Sequence, residues 1–423
     1  MTTDSAFNSV PDAKAVVDRA YDASVVLAKT KGDDRARALE AMADALREAS
    51  DDILEANTLD LEASREMAVP ELILEWLKLT PERIGSTIAI LEKLAQLPDP
   101  LRQVMNATYQ VGRSQSYSQL MPLGTIALVY EAFPDFGAIA AGLCVKTGNT
   151  LILRGGTEAS HSNAAIAQAL QRGIEQSNLP LGTIELFPPD VGVSTRDLIR
   201  QDKYINLVIP YGRPSLVQQV VRQATAPVLK SAMGNCYLYW SPTGSMDLAR
   251  ATIVDSHASE PDPVNAIEKV LVNAKAKPSS LSLLWNSLKE KGFTLKGDRE
   301  LADQFPELEA VEDDAEWNRA YLTKTVAFKT VEDLDAAIAW IDQHSSGHAD
   351  CIVTESYQES CQFAVGIHSA SIYINTSPRF HRAPPQGDAV FLGMSNQKGH
   401  RRGSIGLETL TTTKHVIQGW GEF

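Results

Sequence analysis

The strand-like run Thr150-Leu151-Ile152-Leu153 leads into Arg154-Gly155-Gly156-Thr157, and a helix is expected from about Glu158. Glycines between a strand and a helix N-terminus let a phosphate approach the backbone, and the positive helix end favours its charge. Lys146, just upstream in Lys146-Thr147-Gly148-Asn149, adds a cation. The run is not the G-x-G-x-x-G fingerprint, and a Gly-Gly turn after a strand also serves as a plain tight connection, so both readings stay open on the residues alone. His344 and His348 stand four apart, a spacing that on one helix would give two metal ligands. The intervening Ser345-Ser346-Gly347 reads instead as a helix end and turn, and without an H-E-x-x-H pattern no metal site is expected. No G-x-S-x-G elbow supports Ser-His-Asp catalysis. The four cysteines, Cys144, Cys236, Cys351 and Cys361, contain no C-x-x-C pair, which argues against a zinc ribbon or disulfide framework.

These residues sit on a chain of 423 residues, long enough for two or three domains, with a hydrophobic fraction of 44% and a charged fraction of 22%. The net charge of −14 and the lack of a strong basic patch argue against nucleic-acid and anionic-membrane partners. No apolar run is long enough to cross a bilayer, and the polar start Met1-Thr2-Thr3-Asp4-Ser5 lacks signal-peptide regions, so the cytoplasm is the default location. The first hundred residues read as helices: Leu39, Met42 and Leu46 keep helical spacing, and Thr80-Pro81-Glu82 is a helix start with Ile84, Ile88, Leu91 and Leu94 as its stripe. Asn106 to Leu120 is polar, with Gly112-Arg113 near its middle, and fits an exposed two-stranded arm able to pair with a partner subunit. From Thr125 onward, short β-rich runs (125–130, 150–153, 184–186, 204–210) alternate with helical stretches, and a second block follows with strands at 236–240, 269–272, 325–328, 351–354 and 371–375. The alternation predicts an α/β chain with two helix-covered parallel-sheet domains.

The order of several segments resembles the γ-glutamyl phosphate reductase family, also called glutamate-5-semialdehyde dehydrogenase, a proline-biosynthesis branch of the aldehyde dehydrogenase superfamily. The residues that carry the resemblance include Leu79-Thr80-Pro81-Glu82-Arg83, Leu97-Pro98-Asp99-Pro100, Tyr130-Glu131-Ala132 and Leu143-Cys144-Val145-Lys146-Thr147-Gly148-Asn149. Further on they include Leu153-Arg154-Gly155-Gly156, Gly234-Asn235-Cys236 and Ser346-Gly347-His348-Ala349-Asp350. The resemblance implies an aldehyde-dehydrogenase-like fold: a cofactor-binding domain from 1–105 and 121–232, a catalytic-type domain from 233–381, an oligomerisation arm and tail from 106–120 and 403–423, and a return segment at 382–402. It also implies NADP, held near Lys146, Arg154, Gly155 and Gly156, and a homo-oligomer. In the family a cysteine thiolate attacks the acyl phosphate of γ-glutamyl phosphate, phosphate leaves, and hydride from NADPH releases the semialdehyde.

Here the sequence departs from the family. The family's catalytic run Asn-Ala-Lys-Thr-Gln-Arg-Pro-x-Val-Cys-Asn-Ala matches residues 255–266, and anchoring on Pro261, Asn265, Ala266 and Glu268 places Val264 in the nucleophile slot beside Asn265. Valine has no lone pair and no ionisable proton, so the covalent route is closed there. Arg-Pro-Asn becomes Phe133-Pro134-Asp135, losing a cation suited to an anionic substrate. Two family glycines become Ala383 and Pro384, and a Glu before an aromatic residue becomes Ala320 before Tyr321. Candidate substitutes are Cys236 as a thiol and His257 or Glu260 as acid–base groups for a dehydrogenase of another substrate without a covalent intermediate. The small-residue reading of Cys236 and plain drift of the other two are preferred. The alternative to an active reductase is a paralogue kept as a partner for glutamate 5-kinase or for a cysteine-bearing reductase subunit.

Overall fold

The computed structural model describes residues 13–106, 114–187, 194–258, 261–399 and 401–419. They fall in two compact units, one of Met1–Lys230, Ala383–Leu392 and Ile405–Phe423, the other of Ser231–Arg382 and Gly393–Ser404. The first unit opens with helices Ala13–Leu27, Gly32–Glu48, Ser50–Glu66, Glu71–Leu77 and Pro81–Gln96. Leu39, Met42 and Leu46 are buried on one face of the second, as their spacing requires. Thr80 caps the last: its hydroxyl accepts from the Arg83 N–H at 3.2 Å, with Pro81 in the first turn and Ile84, Ile88, Leu91 and Leu94 facing inward.

The unit's parallel sheet has the order Ile184–Leu186, Thr150–Arg154, Thr125–Tyr130, Leu207–Tyr211. Its last strand starts later than the apolar pattern suggests, because the N–H groups of Tyr204 and Ile205 bond back to the Gln201 carbonyl and hold a turn there. Strand Thr125–Tyr130 is followed in chain order by its neighbour on one side, while the later Leu207–Tyr211 lies on its other side. Doubly wound sheets take ligands beyond the carboxyl ends of strands at such a reversal. A separate antiparallel sheet joins Val104–Asn106, Gln115–Pro122 and the tail strand Thr411–Gln418, which runs from Thr411 opposite Pro122 to Gln418 opposite Gln115. The expected turn at Gly112-Arg113 lies outside the described residues.

The second unit is built on a seven-stranded parallel sheet ordered Glu309–Ala310, Thr294–Gly297, Thr325–Val331, Ile267–Asn273, Cys236–Trp240, Ala349–Val353, Ser371–Ile374. Both faces are covered, one by Leu284, Trp285 and Leu288, the other by Ala337, Ile341 and Phe363. That double burial explains why its central strands read as continuous apolar runs and were legible in the sequence. The strands at 294–297 and 309–310 were not, being short and interrupted by Lys296 and Glu309. Among the described residues no helix is long and apolar enough to cross a membrane.

Candidate active site

In the first unit, strand Thr150–Arg154 delivers the half-buried Arg154 at its carboxyl end, where Nε donates to Thr195 Oγ1 at 3.3 Å and the guanidinium lies 5.8 Å from the Phe187 ring centre. A Cβ at Gly155 would stand 2.0 Å from Asn163 Nδ2, so the chain passes this side chain only as glycine. Asn163 Oδ1 in turn accepts from the Tyr130 hydroxyl at 3.0 Å, joining the turn to the neighbouring strand end. Glu158 reaches back from the following segment to accept the Ala132 N–H at 2.8 Å, and burial raises its carboxyl pKa. On the other side of the reversal Arg213 clamps Glu131, with its N–H 2.6 Å and its Nε 3.0 Å from Oε1. The carboxyl-end face therefore brings the Arg154 guanidinium and the glycine turn together at the strand end, with Gly155 packed against Asn163 and Gly156 against the Glu158 carboxylate.

Lys146 does not join them. Its ammonium turns inward and donates to the carbonyls of Leu97 and, at 3.3 Å, Ala95. These are the terminal carbonyls of helix Pro81–Gln96, where a cation is favoured, and burial lowers the ammonium's pKa. Lys146 is a buried helix cap, an outcome its place in the last turn of the wholly buried helix Pro134–Lys146 imposes. The helix Ser160–Glu175 that follows the glycines is likewise engaged: the buried Asp60 carboxylate accepts from the N–H groups of His161 at 3.0 Å and Ser162 at 2.7 Å. A protein carboxylate, not a ligand, holds that helix end.

Phe133, in place of the family's arginine, is fully buried, stacked on Trp76 at 4.7 Å and edge-on to Tyr211 at 5.6 Å. Asp135 beside it is held by Arg83, whose Nε lies 2.9 Å from Oδ2, and Arg83 also donates to the carbonyls of Trp76 and Lys78, each at 2.8 Å. Position 133 is a buried aromatic packing site.

In the second unit, Val264 is 0% exposed and both of its backbone groups are engaged. Its N–H bonds to the Asp262 carbonyl at 2.9 Å across Pro263, whose ring suits so tight a turn. Its carbonyl accepts from the Gly234 N–H at 3.0 Å and from His348 Nε2 at 2.7 Å. Neighbouring Asn265 donates from Nδ2 to the Pro378 carbonyl at 2.8 Å. Asp262 is buried and paired with Arg382 at 2.6 Å, and Arg379 reaches Asp255 at 3.3 Å, so two arginines are each engaged by a carboxylate of the 255–266 run.

Cys236 lies close to the slot but is not activated. Its Sγ is 3.4 Å from His348 Nε2, and because that nitrogen donates to a carbonyl it carries the proton and has no lone pair for the thiol. Nδ1 is the accepting nitrogen, with Ser346 Oγ 2.8 Å away. Burial pushes the imidazole down to about 4, keeping it neutral, and pushes the Cys236 thiol well above its ordinary range. His257 is committed in the same manner: Nε2 donates to the Ile267 carbonyl at 2.9 Å, the ring meets Phe293 edge-on, and burial lowers it to about 4. As an acid–base candidate it is corrected to a helix-end anchor. Glu260 lies outside the described residues.

The couple His344 and His348 separates as the turn between them suggests: His344 stacks on Trp340 at 4.0 Å while His348 clasps the slot. That second contact escaped sequence reasoning, as did Glu268, which accepts backbone N–H groups from Asn235 at 2.8 Å, Tyr321 at 2.8 Å and Leu322 at 2.7 Å. Asn235 and Leu322 both have positive φ, so the carboxylate pins two left-handed backbone positions. The signal for His348 was present as the family's Ser346-Gly347-His348 run, and Glu268 was visible as an anchor of the family's catalytic run but not as a backbone clamp.

The parallel sheets and the strand-end glycine turn define an aldehyde-dehydrogenase-type protein, and the aldehyde dehydrogenase family model matches residues 3–235. The chain is 53% identical to γ-glutamyl phosphate reductase 2 of Synechocystis over 96% of each chain. It is 37% identical to the γ-glutamyl phosphate reductase of Gloeobacter violaceus over 97% of each. The crystal structure of γ-glutamyl phosphate reductase from Thermotoga maritima superposes with a TM-score of 0.87 at 30% identity, covering 97% of this chain and 99% of that one. The chain belongs to the aldehyde dehydrogenase family and, within it, to the γ-glutamyl phosphate reductases of proline biosynthesis.

Proposed function

We propose that the chain serves the reduction of L-glutamyl 5-phosphate to glutamate 5-semialdehyde as a member that forms no thioester of its own and works beside a cysteine-bearing reductase subunit. The observation that carries this reading is Val264: a hydrocarbon side chain, fully buried, whose N–H and carbonyl are both spent within the protein. A nucleophile at this place would need a thiolate, and the developing oxyanion would need a donor that the Val264 N–H does not offer. Phe133 supports the same reading, since no cation stands there to meet the substrate. NADP, when bound, supplies or takes up hydride; Arg154, Gly155 and Gly156 would hold its phosphates. The three-stranded sheet of arm and tail favours assembly with a further subunit.

The test is phosphate-dependent oxidation of glutamate semialdehyde with NADP. The chain alone should give no turnover above the protein-free blank. Mixed with a cysteine-bearing reductase it should change that enzyme's yield, stability or rate. Turnover by the chain alone, abolished in Cys236→Ala, would overturn the reading.

A further inference from the structure

In the second unit, helix Tyr357–Gly366 packs on helix Leu334–His344 through Phe363, beside Ala337 and Ile341. Its inward face is ordinary; its outward face is not. Tyr357, Cys361, Ala364 and Val365 follow one another at helical spacing, all exposed, with Tyr357 at 84% and Val365 at 86%. A surface helix normally turns charged or polar residues outward, so an apolar ridge on that side marks a contact surface.

The surroundings specify what the ridge would meet. From Thr330 to Pro378 the sequence contains seven acidic residues and no lysine or arginine. Asp350 among them is buried, but Glu332, Asp333, Asp335, Asp342 and Glu355 are exposed. Asp335 receives a hydrogen bond from Gln362 Nε2 at 2.6 Å, which ties the acidic helix to the ridge helix. His368 lies 2.7 Å from Asp342. A second copy of the same surface would set acid against acid, on a chain whose net charge is −14.

We propose that helix Tyr357–Gly366 is a docking ridge for a basic, amphipathic segment of another protein, whose apolar side covers Tyr357, Cys361 and Val365 while its lysines or arginines meet the acids around them. This deepens the partner reading given above and rests on it, although its test is independent of turnover. Binding of this kind weakens as salt screens the charges, while the apolar ridge supplies what electrostatics alone would not.

Cys361 is a built-in reporter, because Cys144, Cys236 and Cys351 are buried and Cys361 is exposed. The experiment follows alkylation of Cys361 in the full chain with and without a short synthetic Leu/Lys amphipathic helix, and with a Leu/Glu helix of the same pattern. At ten times its dissociation constant the Leu/Lys helix should slow alkylation by roughly tenfold. The Leu/Glu helix should leave it unchanged. Tyr357→Ser combined with Val365→Ser keeps every charge and should remove the protection; Asp335→Asn should weaken it and flatten its salt dependence. Protection that survives the double serine variant would reduce the effect to general attraction of a cation by an acidic chain and would overturn the proposal. So would protection that grows with the chain's own concentration, which would make a second copy the occupant, or no protection at saturating peptide. None of these residues takes part in the phosphate-dependent assay, so a failure there and a failure here are distinguishable.

Discussion

Returning arginine to position 133 should not restore a substrate site; it should break the first unit. Phe133 has no exposed surface, stacks on Trp76 with rings 4.7 Å apart and meets Tyr211 edge-on at 5.6 Å. Removing a buried phenyl ring costs about 3–5 kcal/mol through lost transfer energy and the cavity left behind. A guanidinium in its place brings five donors into a ring-lined site, and Asp135, the nearby carboxylate, is already engaged by Arg83. Cation–π contact with the surrounding rings returns only about 1–2 kcal/mol. With several kcal/mol more for burying the unpaired charge, the net loss for Phe133→Arg is at least about 3 kcal/mol, a large part of the roughly 5–15 kcal/mol that holds a typical domain. Phe133→Leu, which keeps the site apolar, should cost roughly half as much or less. The assay is urea unfolding followed by tryptophan fluorescence, with Trp76 against the altered ring. An arginine variant within about 1 kcal/mol of the parent would refute the closed-site reasoning, since only an open, solvated position tolerates the charge so well.

Three further outcomes are expected. Lys146→Met should leave nucleotide affinity within about twofold while lowering stability by about 1–3 kcal/mol, because the ammonium serves the Ala95 and Leu97 carbonyls; calorimetric titration with NADP and urea unfolding read the two effects separately. Glu268→Gln should cost about 2 kcal/mol or more in urea unfolding, since an amide offers one acceptor oxygen where the carboxylate accepts three N–H groups from Asn235, Tyr321 and Leu322. His257, lowered by burial from 6.5 to about 4, favours the folded state fully above pH 6.5 and loses that contribution as pH falls toward 4; the shift of roughly 2.5 units amounts to about 3 kcal/mol. Parent and His257→Gln unfolding curves should therefore converge by about that much between pH 7 and pH 4, and parallel curves would contradict the burial assigned to the ring. Asp350, raised by burial to about 7, acts in the opposite sense in both proteins and cancels in the comparison.

Much of the scaffold was legible because burial writes itself into local pattern. Thr125–Tyr130 and Cys236–Trp240 are buried at every position and read as unbroken β-rich runs. Thr80 before Pro81 announced a cap that the structure contains. Val264 is singled out by the resemblance to the family's catalytic run; nothing in Pro263-Val264-Asn265 alone marks it. What the sequence could not disclose were directions of side chains over long separations. Lys146 turns to carbonyls at positions 95 and 97, and His348 reaches the carbonyl of Val264; neither choice is encoded within a few residues of the side chain that makes it. Phe133 lay between: its loss of charge was visible, but its stacking on Trp76 depends on how helix Glu71–Leu77 packs.

The absence of a covalent route is tested most directly by mixing the chain with glutamate semialdehyde and NADP in the absence of phosphate. In this direction a thiolate would add to the aldehyde, hydride would pass to NADP, and the thioester would accumulate because no phosphate is present to release it. The expected result is no burst of NADPH and an intact protein mass unchanged by the reaction. A stoichiometric burst with a γ-glutamyl adduct on Cys236 would contradict the account.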